Sequence, residues 1–156
     1  MKFKKPWLLV GCIALCLAVG LIGSLFTITG VGSWYSHLAR PSFSPPNWLF
    51  GPVWTLLYIL MGISLYLVIT AKKKNKQAAY YIFAVQLVLN LFWSILFFGM
   101  EMPLLAFIEI LLLWVSILAT IILFSRISRP AAWINLPYLC WVSFATLLNL
   151  AIYLLN

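Results

Sequence analysis

Apolar residues fall in five long blocks, about 7–28, 48–70, 79–99, 103–124 and 132–155, parted by short breaks that are polar or rich in proline. A helix needs about 20 mostly apolar residues to cross the hydrocarbon of a bilayer, and each block meets that length. The pattern therefore predicts an all-α integral membrane protein: one five-helix transmembrane bundle over residues 1–156. The first block follows MKFKKPW and resembles a signal peptide, but it is longer than a typical signal core and reads as a retained first span.

Within the blocks, the few polar, small and aromatic residues recur at helical spacing. In the first, Cys12, Cys16, Gly20 and Ser24 stand four apart, a ridge that lets another backbone come close. The ridge fits packing inside the bundle or the seam of a homodimer. In the second, Trp54, Tyr58, Met61, Gly62 and Leu65 share a face, and Pro52 either sits near the first regular turn or kinks the helix. Gln86, Asn90, Trp93 and Phe97 form a stripe on the third, whose amides should avoid lipid because an unsatisfied amide in hydrocarbon costs about 2–7 kcal/mol. The last carries Trp141, Ala145, Leu148, Asn149 and Ile152 on one face. Asn149 and Gln86 are expected to bond between helices.

The break at about 29–46 is long for a bundle and rich in Gly, Ser and Pro. Gly30 and Gly32 loosen its start, and Pro41, Pro45 and Pro46 stiffen its end, as expected of a lid over a cavity mouth.

Composition agrees with a bilayer setting: 65% of the 156 residues are hydrophobic and the mean hydropathy is +1.11. The net charge of +8 does not imply a nucleic-acid partner, because nine of the ten cations cluster at alternate breaks. Lys2, Lys4 and Lys5, then Lys72, Lys73, Lys74 and Lys76, then Arg126 and Arg129 would lie on the cytoplasmic side, with Arg40 alone opposite. The expected location is a bacterial cell membrane, with the N-terminus cytoplasmic and the lid outside. The three cysteines all lie in apolar blocks and give no disulfide framework.

Candidate chemistry is sparse. The chain has no Asp, and no hydrolase triad, metal cluster or phosphate loop can be assembled, so no metal ligands are assigned. The sole histidine, His37, is a loop residue or a haem axial ligand. Glu109, inside the fourth block, is either a functional carboxyl or a group that stays near the outer interface or caps a helix-helix contact. Trp7, Trp48 and Trp133 near span ends read as interfacial anchors. Trp54 and Tyr58, Asn90 and Trp93, and Trp141 and Ala145 lie on faces that could converge on a pocket.

Three segments, WYSHLARPSFSPPNWLFGPVWTLLYILMG, QLVLNLFWSILFFG and LPYLCWVSFATLLN, resemble in order and spacing the tryptophan-rich sensory protein and translocator protein family, also called the peripheral benzodiazepine receptor family. That resemblance implies a five-helix bundle, commonly a homodimer, with a pocket under the loop between the first two spans. It further implies binding of porphyrins such as protoporphyrin IX, of haem, and of isoquinoline or benzodiazepine-type ligands. In some bacterial members it implies light- and oxygen-dependent conversion of protoporphyrin. Carried over by motif, the pocket positions are Tyr35, Pro45, Trp54, Asn90, Trp93, Trp141 and Ala145, with Trp54 and Trp141 as the pair tied to porphyrin chemistry; Tyr58 and Leu148 join them from the stripes above. No cofactor is required on this reading, porphyrin or haem being ligand or substrate. A sterol motif of mitochondrial members, which ends in Lys or Arg after a Tyr, is incomplete here, because neither cation follows Arg129.

A flat macrocycle needs aromatic faces to stack on, a small residue to leave room and a few polar groups to orient it. Trp54, Trp93 and Trp141 could supply the faces, Ala145 the room and Asn90 a polar contact, while Arg40 is either an anion contact at the mouth or an ordinary loop cation. The expected function is a membrane receptor or sensor for porphyrins and hydrophobic drug-like ligands, with photo-oxidative turnover of porphyrin as an accompanying activity. A tetrapyrrole transporter and a non-enzymatic assembly protein are the alternatives.

Overall fold

The computed structural model describes residues 5–32 and 34–156, without the side chains of 29–32, and its regular elements are helical. Helix α1 is Pro6–Gly32, α2 Asn47–Thr70, α3 Gln77–Ser94 and α4 Pro103–Ser125; the last span is two pieces, α5 Arg129–Ile134 and α6 Leu136–Leu155. The five expected spans are present, each long and apolar enough to cross a membrane. The positions predicted as cationic ends follow the up-and-down order, although Lys2 and Lys4 lie outside the described residues.

Three local departures from the expected spans have physical causes. Helix α1 runs on through Gly30 to Gly32, so the connection is shorter than the predicted 29–46. The last span breaks at Asn135, because Pro137 in the first turn of α6 has no N–H to continue the helix; the Asn135 N–H turns back to the carbonyls of Ala132 and Trp133. The α3 span ends in a π-helical turn, Ile95–Gly99, closed by the Met100 N–H on the Ile95 carbonyl at 2.8 Å. This wider turn lets the adjacent Phe97 and Phe98 both face inward, where they are buried.

Pro52 lies inside α2, five residues after its start at Asn47, on an exposed side of the helix. At the other end of α2, the Lys76 ammonium donates to the Ile69 and Ala71 carbonyls at 2.9 and 2.5 Å, satisfying acceptors that a helix end leaves open.

The small-residue ridge of α1 packs within the bundle. Cys12 and Cys16 are buried, and a Cβ at Gly62 of α2 would sit 2.5 Å from the Ile13 Cα, so the two backbones touch there. A homodimer seam along this ridge is therefore not what its first half forms. Elsewhere the helices are fastened by stacking and by polar clips: Phe83 of α3 stacks on Phe124 of α4 with centroids 5.7 Å apart. The Trp114 indole of α4 donates to the Ser143 hydroxyl of α6 at 2.8 Å. Ser64 of α2 donates to the Ala131 carbonyl at 2.8 Å and accepts from the Asn135 amide.

The loop after α1 crosses the end of the bundle. Tyr35, in a short 3-10 turn, is buried against Phe97 and Phe98, with centroids 6.1 and 5.7 Å away. Phe43 meets Phe144 of α6 edge-on at 6.3 Å. Ala39 is tied through both its N–H (2.9 Å) and its carbonyl (3.1 Å) to the Asn156 carboxamide just past α6.

Candidate functional site

Beneath that loop, α1, α2, α3 and α6 surround a cavity of about 640 Å³. The volume lies in the range of about 300–1,000 Å³ typical of pockets for small organic ligands. Eight of the nine residues expected at a site line it: Tyr35, Trp54, Tyr58, Asn90, Trp93, Trp141, Ala145 and Leu148. Pro45 does not. It is half-buried in the loop, away from the wall, and Tyr35 alone of the described loop residues reaches the cavity.

Each helix brings its residues by spacing. Along α3 and the π-helical turn that ends its span, the stripe of Gln86, Asn90, Trp93 and Phe97 is buried throughout, and three of the four reach the cavity. On α6, Trp141, Ala145, Leu148, Asn149 and Ile152 all line the wall. Trp54 of α2 leans on Tyr58 of its own helix and on Tyr138 of α6, with centroids 5.8 and 6.2 Å away, and Trp141 packs against Phe50 at 5.9 Å. The rings of both tryptophans are thus fixed by aromatic neighbours on the wall.

The polar groups fall into two sets. One set is spent on structure: Asn90 accepts from the Tyr58 hydroxyl and donates to the Tyr138 hydroxyl at 2.9 Å, so a single carboxamide joins α2, α3 and α6. Asn149 accepts from the Trp93 indole at 3.1 Å and donates to the Pro103 carbonyl at 2.8 Å, as expected of an amide held between helices. Gln86 reaches the Met61 sulfur of α2 at 3.8 Å. The other set is free: the Tyr35 hydroxyl and the Trp141 indole N–H, buried on residues of the wall, have no hydrogen-bond partner among the described residues. At the mouth, Arg40 donates to Asn47, itself a wall residue, at 3.0 Å and lies 5.7 Å over the Tyr35 ring.

Sequence reasoning missed the share of α1. Leu17, Gly20, Gly23 and Ser24 form one side of the cavity, and a Cβ at Gly20 would meet the Tyr58 ring at 2.3 Å. The signal was the ridge itself: its first half packs on α2 and its second half faces the hollow. Leu21, Ile28, Gly51 and Thr55 belong both to the wall and to the exposed surface, so the cavity opens sideways between α1 and α2.

Other candidates lie elsewhere. His37 is exposed in the 3-10 turn beside Ser36 and is not on the wall. Glu109 is buried in the bundle, off the cavity wall, and its carboxyl oxygens have no partner among the described residues. Trp7, Trp48 and Trp133 point out of the bundle near span ends, as anchors do.

Five spans around a ligand-sized aromatic cavity under a tethered loop define an integral membrane protein with a candidate ligand-binding cavity. The TspO/MBR family pattern matches residues 12–155. The chain is 51% identical over 155 residues, 98% of each chain, to the tryptophan-rich protein TspO of Chlorobaculum tepidum. It is 47% identical over 148 residues to that of Archaeoglobus fulgidus, covering 95% of this chain and 96% of the relative. With the translocator protein of Homo sapiens the identity is 34% over 153 residues, covering 95% and 90%. This protein belongs to the TspO/MBR family.

Proposed function

We propose that the cavity binds a flat, largely apolar ligand with an anionic edge, a description that fits protoporphyrin IX and haem. The observation that carries this reading is the convergence of Trp54, Trp93 and Trp141 on one hollow whose wall also holds an unpartnered indole N–H on Trp141 and an unpartnered hydroxyl on Tyr35. The rings supply stacking faces, the two free groups supply polar contacts, and Arg40 at the mouth supplies the cation for a propionate. Isoquinoline and benzodiazepine-type ligands, smaller and apolar, fit the same aromatic wall. On this reading the protein sits in a bacterial cell membrane as a homodimer, with the N-terminus cytoplasmic. The support is the alternation of cationic breaks for the orientation and the family resemblance for the dimer.

A bound porphyrin is also the reagent for a photo-oxidation. The excited macrocycle and dioxygen supply the oxidising chemistry, and the protein positions the ring against Trp54 and Trp141: an indole gives one electron to the excited ring, which passes it to dioxygen as superoxide, or the indole reacts with the oxygen species formed there. An aromatic contact is worth about 0.5–1.5 kcal/mol beyond its buried area. Replacing both indoles by Phe therefore removes the donors while retaining much of the affinity.

Spectral titration of the purified protein with protoporphyrin IX, dark and illuminated, tests both parts. A saturable shift in the dark is expected, with light-dependent loss of absorbance in the wild type and none in the Trp54→Phe, Trp141→Phe double variant. Absence of a saturable shift in the wild type defeats the binding proposal. Equal photodegradation by the double variant defeats the role given to the two indoles.

A further inference from the structure

At the end of the bundle opposite the loop, a second hollow of about 410 Å³ lies where α4 turns into α5. Ile121 and Ser125 of α4, Arg129, Ala132 and Trp133 of α5, and Leu136 of α6 line it. Its chemistry is divided. Ile121, Ala132 and Leu136 give it an apolar floor, and Arg129 is its one charged residue, exposed and without a hydrogen-bond or ion-pair partner among the described residues. Trp133, 68% exposed, stands beside it in the position of a side chain at the bilayer interface.

The charges around it all have one sign. Arg126 stands three residues before Arg129 and is exposed, and Lys72, Lys73 and Lys74 are exposed on the connection at the same end. Of the two acidic residues in the chain, Glu101 lies at the far end before α4. Glu109 is buried 16 residues before Ser125, about 24 Å away along the helix at 1.5 Å per residue. No carboxylate on this end neutralises Arg129.

We propose that this hollow binds one anionic glycerophospholipid of the surrounding leaflet, its phosphodiester on Arg129 and an acyl chain against Ile121, Ala132 and Leu136. The occupant must be amphiphilic, because the floor is apolar and the rim cationic, and the hollow lies at the rim of a spanning bundle where bilayer lipid is always at hand. A guanidinium presents two parallel donors to a phosphate, which a Lys at the same place would not do. Zwitterionic lipid with a choline headgroup is disfavoured, since its quaternary ammonium would be brought among Arg126, Arg129 and the lysines. Basic hollows between spanning helices near the cytoplasmic surface are the places where anionic headgroups dock.

The test uses the full chain in nanodiscs of phosphatidylcholine containing a minor share of phosphatidylglycerol, released into native mass spectrometry. One phosphatidylglycerol should be retained about fivefold over its share, the scale of one basic side chain near an anionic lipid. Arg129→Gln should abolish that preference, and Arg126→Gln, which changes the same net charge off the hollow, should keep most of it. Both sites are exposed, and an unchanged melting temperature confirms that each variant is folded. Equal retention of the two lipids by the wild type, or an equal loss in the two variants, overturns the proposal, the latter by assigning the preference to diffuse charge. Displacement of the lipid by millimolar inorganic phosphate overturns it as well, because it would make Arg129 a site for a free anion.

Discussion

Replacing Asn90 by Leu removes a side chain that ties three of the cavity's helices together. Its carboxamide accepts from the Tyr58 hydroxyl of α2 and donates to the Tyr138 hydroxyl of α6. In Asn90→Leu both phenols stay where they are, Tyr138 at 1% exposure with no route to water and Tyr58, at 8%, on the cavity wall. Leaving a buried polar group unpaired costs about 1–3 kcal/mol, so two such groups set an upper range of about 2–6 kcal/mol. Side-chain bonds inside membrane proteins average nearer 0.6 kcal/mol, because partly unfolded helices in lipid find other partners, which sets a floor of about 1 kcal/mol for two. Burial of Tyr138 between α2, α3 and α6 argues for the middle of that span, about 2–3 kcal/mol, or a fall of about 4–12 °C in melting temperature. Thermal unfolding in detergent measures it.

The same ledger predicts that adding Tyr58→Phe and Tyr138→Phe restores most of the loss, since removing both partners of a buried bond is nearly neutral where removing one is not. If Asn90→Leu melts within a degree of the wild type, or the triple variant is no more stable than the single one, the carboxamide is not the tie that its position indicates.

Two matched perturbations follow from the close approaches. Gly62→Ala puts a methyl 2.5 Å from the Ile13 Cα and 2.9 Å from the Cys12 carbonyl, atoms that cannot rotate aside, while a methyl at Gly11 meets nothing within 4 Å. Gly62→Ala should lose about 1–3 kcal/mol and Gly11→Ala should be neutral or gain slightly; similar melting temperatures for the two would contradict the packing of α1 on α2. Asn156→Ala frees both polar groups of Ala39 from the end of α6. With about 0.5–1.5 kcal/mol per bond at stake, amide exchange at Ala39 should quicken several-fold and a bound ligand should leave faster; unchanged exchange means that the loop is held by other contacts.

The five spans, the inward stripe of α3 and the inward face of α6 were all legible in the chain. Each rests on a local periodicity, and in an apolar block a polar, small or aromatic residue at helical spacing marks which side avoids lipid. Asn90 and Asn149 marked the interior because an amide cannot face hydrocarbon without a partner. The position of Pro45 was not legible, because composition shows that a loop is stiff but not which of its residues dips inward; Tyr35 does so, drawn down by Phe97 and Phe98. The break before α6 had its cause in Pro137, yet the same proline could equally have kinked a continuous helix.

What only the tertiary structure decided is how α1 is used. Its residues are apolar almost throughout, and hydrocarbon and a bundle interior accept the same leucines and valines, so hydrophobicity does not distinguish the face turned to lipid from the face turned to a neighbouring helix. The ridge of small residues said that something comes close. Only the contact of Gly62 with Ile13, followed by the opening between Leu21 and Gly51, shows that α1 presses on α2 in one half and forms a cavity wall in the other. Sequence thus determined which groups must be hidden from lipid, through local spacing. The partners that hide them, and the hollow left between, depend on how the helices pack against one another, and that is a property of the assembled bundle.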